Sequence, residues 1–148
     1  MPSVARSPLA DYHLAQGANL GEYHGCLVPA QFSDPVAEHR AVRESSGILD
    51  FSFRAKFTVK GEDRVRFLNG MVTNDVSKLQ PRKGIYALLL NVQGKIQADL
   101  KIYADKDCLF VDLDYDLNEK VQKSLNRYII ADQVELETEK LVAISFQG

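Results

Sequence analysis

Apolar and polar positions change period several times along the chain, which predicts short helices and short strands in mixed order and no repeating unit. The clearest stretch runs from Lys95 to Ala104. Ile96, Ala98, Leu100 and Ile102 alternate there with Lys95, Gln97, Asp99, Lys101 and Tyr103, so one sheet face is apolar and the other polar. An apolar run, Ile85 to Val92, precedes it across a turn holding Gln93-Gly94, and Asp105-Lys106-Asp107 leads into a third run, Cys108 to Leu113. The three together predict an antiparallel meander. Ser33-Asp34-Pro35 supplies a cap and a proline at the first helical position, opening a helix that Gly47 is expected to stop. Val65, Leu68 and Val72 recur at helical spacing behind Glu62 and Asp63, and that helix should end near Thr73-Asn74-Asp75. Leu117, Val121, Leu125 and Tyr128 mark a further amphipathic helix.

Shorter strands are expected at Ile48 to Phe51, at Ala55 to Val59 before a Lys60-Gly61 turn, at Val134 to Leu136 and at Leu141 to Phe146. Gly17 to Phe32 reads as a loop or hairpin. Residues 1–16, with two prolines and little periodicity, read as a flexible amino-terminal arm or a surface segment that packs late. The fold class is therefore α+β, an antiparallel meander with packed helices. The last apolar strand meets Gln147-Gly148 with no polar tail, so the fold is expected to continue past it.

With 45% hydrophobic and 26% charged residues, disorder over most of the chain is excluded, and 148 residues suffice for one ordinary domain or part of a larger one. Eighteen basic residues against twenty acidic give a net charge of -2, so no global field draws the chain to nucleic acid or to anionic lipid, and neither partner is expected. Cys26 and Cys108 stand far apart in no metal-ligand spacing, which fits a reducing compartment and argues against a structural zinc site. No apolar run reaches bilayer length and the first twenty residues lack a signal pattern, so a soluble, cytoplasmic protein is expected.

No phosphate loop, dinucleotide fingerprint, nucleophile elbow or metalloprotease helix occurs. His13, His24 and His39 are dispersed and read as surface or cap residues. Asp112, Asp114 and Asp116 lack the glycine turn and closing glutamate of a calcium loop, so they read as a solvated strand-to-helix turn; no metal is expected. Asp99 is more informative, since aspartate is disfavoured in mid-strand. It either pairs with Lys101 or a cross-strand neighbour on a wet face, or it belongs to a polar, ligand-facing surface. Tyr86 carries the same ambiguity between core aromatic and ligand contact.

Several separated segments together resemble the glycine-cleavage T protein (aminomethyltransferase) family and its YgfZ-type folate-binding relatives. They are Glu38-His39-Arg40-Ala41-Val42-Arg43 with Gly47-Ile48-Leu49-Asp50, then Val59-Lys60-Gly61, Phe67-Leu68, Val72-Thr73-Asn74-Asp75-Val76, and Tyr86-Ala87-Leu88-Leu89-Leu90-Asn91 followed by Gly94 and Ala98-Asp99-Leu100. No piece is specific alone; their order and spacing are. The resemblance runs from about Gly17 to Gly148 and implies a multi-domain folate-binding fold with tetrahydrofolate in a central opening. Family members are considerably longer, which implies that this chain is an amino-terminal portion holding half of the folate site. Asp99 matches the aspartate placed beside the reactive amines of tetrahydrofolate, Tyr86 a folate-contacting tyrosine, and Arg54 a ligand-facing position where T proteins usually carry methionine.

Three departures bear on the branch. T proteins usually read Asp-Val-Ser-His-Met where this chain has Asp50-Phe51-Ser52-Phe53-Arg54, show an Asp-Asp pair where it has Ala98-Asp99, and carry an asparagine near the position of Leu113. These shifts resemble the YgfZ-type branch, which implies tetrahydrofolate binding in the maintenance of iron-sulfur enzymes as the leading function. The alternative is an aminomethyltransferase of the glycine cleavage system, with a lipoylated carrier protein as partner. A second alternative is a non-catalytic binding domain.

Overall fold

Short-range chemistry sets most element boundaries in the computed structural model, which describes residues 4–148. The chain opens with β1 (Ala5–Arg6) and α1 (Ala10–Ala15), followed by the hairpin of β2 (Asn19–Tyr23) and β3 (Cys26–Gln31). His24 and Gly25, the two residues between these strands, take φ of 47° and 73°, the backbone a tight two-residue hairpin needs. β2 pairs antiparallel with β3, and β1 pairs parallel with it. The span expected to be an arm thus holds a strand and a helix in its described part and buries Ala10 and His13, because β1 draws its ladder from a partner twenty-one residues away. Residues 1–3 of that span lie outside the described residues.

α2 (Pro35–Glu44) starts as its sequence predicts: Asp34 accepts the Ala37 N–H at 3.0 Å and Pro35 occupies the first position. It ends at Glu44, short of Gly47. Gly47 instead opens β4 (Gly47–Asp50), where an added Cβ would stand 2.5 Å from Val42 Cγ2, so the glycine serves close packing and not a helix stop.

The remaining elements are β5 (Arg54–Lys60), α3 (Arg64–Met71), a 3-10 turn at Val76–Lys78, β6 (Gly84–Leu90), β7 (Ile96–Ala104), β8 (Leu109–Asp114), α4 (Asn118–Asn126), β9 (Glu135–Glu139) and β10 (Ile144–Gln147). Two compact units result. One runs through Arg54 and is completed by Leu141–Gly148; the other is Ala55–Lys140. In the first, β10 pairs antiparallel with β4. In the second, β6, β7 and β8 form the expected meander within a sheet of order β6-β7-β8-β5-β9.

The alternation of β7 decides how that sheet packs. Ala98, Leu100 and Ile102 are buried with Phe57 and Val59 of β5, Ala87 and Leu89 of β6, and Val111 and Leu113 of β8. Phe67 and Leu68 of α3, and Val121 and Leu125 of α4, complete this core, which makes the unit a helical layer on one sheet face. Tyr128, expected within the last helix, lies beyond its end and is exposed. Among the described residues no helix is long and apolar enough to cross a membrane.

Candidate functional site

The second face of the five-stranded sheet carries the polar residues that the alternation sets apart. The β6–β7 register puts Leu88 opposite Asp99 and Tyr86 opposite Lys101, so Tyr86 and Asp99 share one face of adjoining strands. β6 is held along its other edge by the Val72–Val76 segment. The Thr73 N–H donates to the Leu88 carbonyl at 3.0 Å, the Leu88 N–H donates to Thr73 Oγ1 at 2.9 Å, and Asn74 Nδ2 donates to the Tyr86 carbonyl at 2.9 Å. Asp75 then caps the following 3-10 turn; a hydrogen bond from Lys78, with help from Ser77, holds its carboxyl down to about 2. At the far end of the strands, Asn91 Oδ1 accepts the N–H groups of Gln93 and Lys95 and shapes the hairpin turn.

Ordered charges extend across this face. Lys56 and Asp112 form an ion pair at 3.6 Å with both side chains largely buried, and the buried Thr58 hydroxyl donates to Glu139 at 3.1 Å. A shallow hollow of about 320 Å³ opens between Gly84, Ile85, Tyr86, Lys101 and Tyr103. An added Cβ on Gly84 would lie 2.6 Å from Tyr103 Cδ1, so the tyrosine ring rests against bare backbone.

A larger cavity of about 810 Å³ lies within the first unit, walled by Tyr12, Tyr23, Phe32, Phe51, Phe53 and Ile144 among others. At its edge Asp50 is saturated. Its Oδ2 accepts from the Ser7 hydroxyl at 2.5 Å and from His13 Nε2 at 2.9 Å, while its Oδ1 accepts the Ser52 N–H at 2.8 Å and the Ser52 hydroxyl at 2.5 Å. His13 Nδ1 is buried without a hydrogen-bond partner among the described residues. A carboxylate with four donors is an anchor, not a free base, so this cavity, though larger, offers less chemistry than the sheet face. Burial alone would push the Asp50 carboxyl up, but the bonds from Ser52, Ser7 and His13 outweigh it and hold the carboxyl below its ordinary value. The native state then binds fewer protons than the unfolded chain in that window. Its contribution to stability is full above about pH 4 and is lost as pH falls through the lower folded value. Denaturant unfolding as a function of pH should show a steeper acid loss for wild type than for Asp50→Asn, which starts less stable and lacks this titration.

The structure therefore brings together Asp99, half-buried at mid-strand, and Tyr86, exposed on the neighbouring strand. Arg54 is buried and opens β5, with β8 between that strand and β7, so it is not a strand neighbour of Asp99. The expectation that all three histidines lie at the surface or at caps fails for His13, which is buried on α1 against Asp50. No local signal in the sequence could have found this contact, because its partner lies thirty-seven residues on. Phe53, one of the departures noted above, packs edge-on to Tyr23 at 4.8 Å and against Phe51 at 5.1 Å, part of the aromatic wall of the larger cavity.

The family model described as the GCVT N-terminal domain matches residues 9–148. This chain belongs to the GCVT family. It is similar to the aminomethyltransferase of Prosthecochloris aestuarii, 37% identical over 98% of this chain and 41% of that protein, and to that of Chlorobium phaeobacteroides, 38% identical over the same shares. It is also similar to the aminomethyltransferase of Desulforamulus reducens, 38% identical over 72% of this chain and 29% of that one. In three dimensions, a crystal structure of the glycine cleavage system aminomethyltransferase T from Bartonella henselae superposes with a TM-score of 0.90 at 23% identity, over 99% of this chain and 41% of that one. That likeness bears on the fold, which is thus the mixed α+β fold that the alternation and helical spacing predict. The chain spans less than half the length of these relatives.

Proposed function

We propose that the protein binds tetrahydrofolate on the Asp99 face and takes part in aminomethyl transfer, in which a one-carbon unit passes from a lipoyl-bound aminomethyl group to the folate. The observation that carries this is the juxtaposition of Tyr86 and Asp99 on one polar face of adjoining strands, in a chain of the GCVT family whose relatives are aminomethyltransferases. Aminomethyl transfer was the alternative in the sequence analysis, and the comparisons favour it over the iron-sulfur reading.

The residues present suit such a ligand. Tyr86, about half exposed at the rim of the hollow, offers a planar surface to an aromatic group, and Gly84 leaves backbone open beside it. Asp99 offers acceptor oxygens to amine N–H groups. Bound there, tetrahydrofolate supplies the amine nitrogens that receive the one-carbon unit. Asp99 orients the amine by hydrogen bonding and holds or releases a proton at its carboxylate while ammonia leaves. Arg54 enters as a folate contact on the family resemblance alone. The expected partner is a lipoylated carrier protein, and the two free cysteine thiols support a reducing, cytoplasmic setting.

Iron-sulfur enzyme maintenance by a YgfZ-type folate binder is the second reading, favoured by the Asp50-Phe51-Ser52-Phe53-Arg54 segment, where Phe53 joins an aromatic wall. Calorimetry with tetrahydrofolate tests what both readings share, with wild type the protein that carries the complete site of which the resemblance gives this chain half. Wild type should bind saturably, Tyr86→Phe should bind nearly as well, and Tyr86→Ala should bind about three- to ten-fold more weakly through loss of the aromatic contact. Absence of binding by wild type would leave a non-catalytic domain that has kept the fold without the ligand.

A further inference from the structure

Lys101 lies on the Asp99 face and takes no part in the transfer chemistry. Its register neighbours are Tyr86 on β6 and Asp112 on β8. Asp112 is engaged by Lys56, and Lys101 makes no ion pair among the described residues. The lysine is exposed and lines the 320 Å³ hollow between two half-exposed tyrosines, Tyr86 and Tyr103. That combination is suited to an aromatic ligand bearing an anion: rings on both sides, a flexible ammonium between them.

The order of groups along the strand narrows the ligand. Asp99 and Lys101 lie two residues apart on one face, about 7 Å along the strand. A folate carries its reactive amines at one end of a benzoyl ring and glutamyl carboxylates beyond the other. With amines at Asp99, the benzoyl ring can lie along Tyr86 and the carboxylates come within reach of the four-carbon stem of Lys101. A carboxylate placed there without Lys101 would face Asp99, a like-charge arrangement that disfavours binding. We infer that Lys101 forms an anion subsite that selects the glutamyl carboxylate end of the folate, an inference that rests on the folate reading above.

Calorimetry on wild type, Lys101→Gln and Lys101→Arg, with three probes, tests it. The probes are tetrahydrofolate, p-aminobenzoyl-glutamate, and a tetrahydropterin lacking the benzoyl-glutamate. Lys101→Gln should weaken tetrahydrofolate and p-aminobenzoyl-glutamate about five-fold each, the worth of a partly exposed ion pair, and leave the tetrahydropterin unchanged. Lys101→Arg should retain wild-type affinity, and added salt should erode the advantage of the wild type. Wild-type affinity of Lys101→Gln for tetrahydrofolate, or an equal loss for the tetrahydropterin, would overturn the subsite while leaving the folate reading intact. Lys101-dependent binding of p-aminobenzoyl-glutamate without binding of tetrahydrofolate would uphold the subsite and overturn the folate reading. Binding of no probe overturns both.

Discussion

In a protein that carries the complete folate site, Asp99→Asn is expected to lower aminomethyl transfer by about 10² to 10⁴-fold, while tetrahydrofolate binding weakens by only about 1 to 2 kcal/mol. The asymmetry follows from what asparagine keeps and loses. It has nearly the same volume and still presents one acceptor oxygen from the same strand position opposite Leu88, so the ligand remains oriented. It cannot take up or release a proton in the working pH range. The loss should therefore fall on the transfer step and not on ligand affinity. Single-turnover transfer measured beside calorimetry separates the two, with circular dichroism to show an unchanged fold. A variant that transfers at the wild-type rate would remove Asp99 from acid-base duty.

One residue further along the strand, Leu100→Ala should behave in the opposite way. Leu100 points to the other face, is fully buried, and packs in the core with Phe57, Ile102 and Val111. Truncation removes buried methyl groups and leaves a cavity between sheet and helices, a change that costs about 3 to 5 kcal/mol. The melting temperature should fall by about 10 °C or more. At a temperature where the variant is still folded, tetrahydrofolate affinity should stay near wild type, because the polar face is untouched. A stability loss below about 1 kcal/mol would mean that the site collapses around the smaller side chain and that the alternation is a poor guide to the core.

That alternation explains why the sheet was legible from the chain alone. A clean period of two over β7 fixes which residues face the helices and which face the polar side, and the neighbouring apolar runs allow few other pairings. The start of α2 was equally local, written in Asp34 and Pro35. What escaped was non-local. Nothing near Ala5 and Arg6 announces a parallel partner in β3. His13 and Asp50 each look ordinary in sequence, and their buried contact exists only once α1 and β4 are brought together. Gly47 misled for a related reason: a glycine near the end of a helical pattern suggests a stop, whereas here it makes room for Val42. At the site itself, alternation placed Asp99 on a polar face without saying whether that face meets solvent or ligand. The register then joined it to Tyr86, and the ligand reading of that face is the proposal made above.

The central claim is that the Asp99 face serves folate-dependent aminomethyl transfer. Its most direct test supplies wild type with tetrahydrofolate and a carrier protein whose lipoyl arm bears an aminomethyl group, and follows ammonia release together with formation of the one-carbon folate. The account predicts equal amounts of both products, appearing only when protein and tetrahydrofolate are both present. No ammonia and no one-carbon folate, from protein shown by calorimetry to bind tetrahydrofolate, would contradict it and favour a maintenance role.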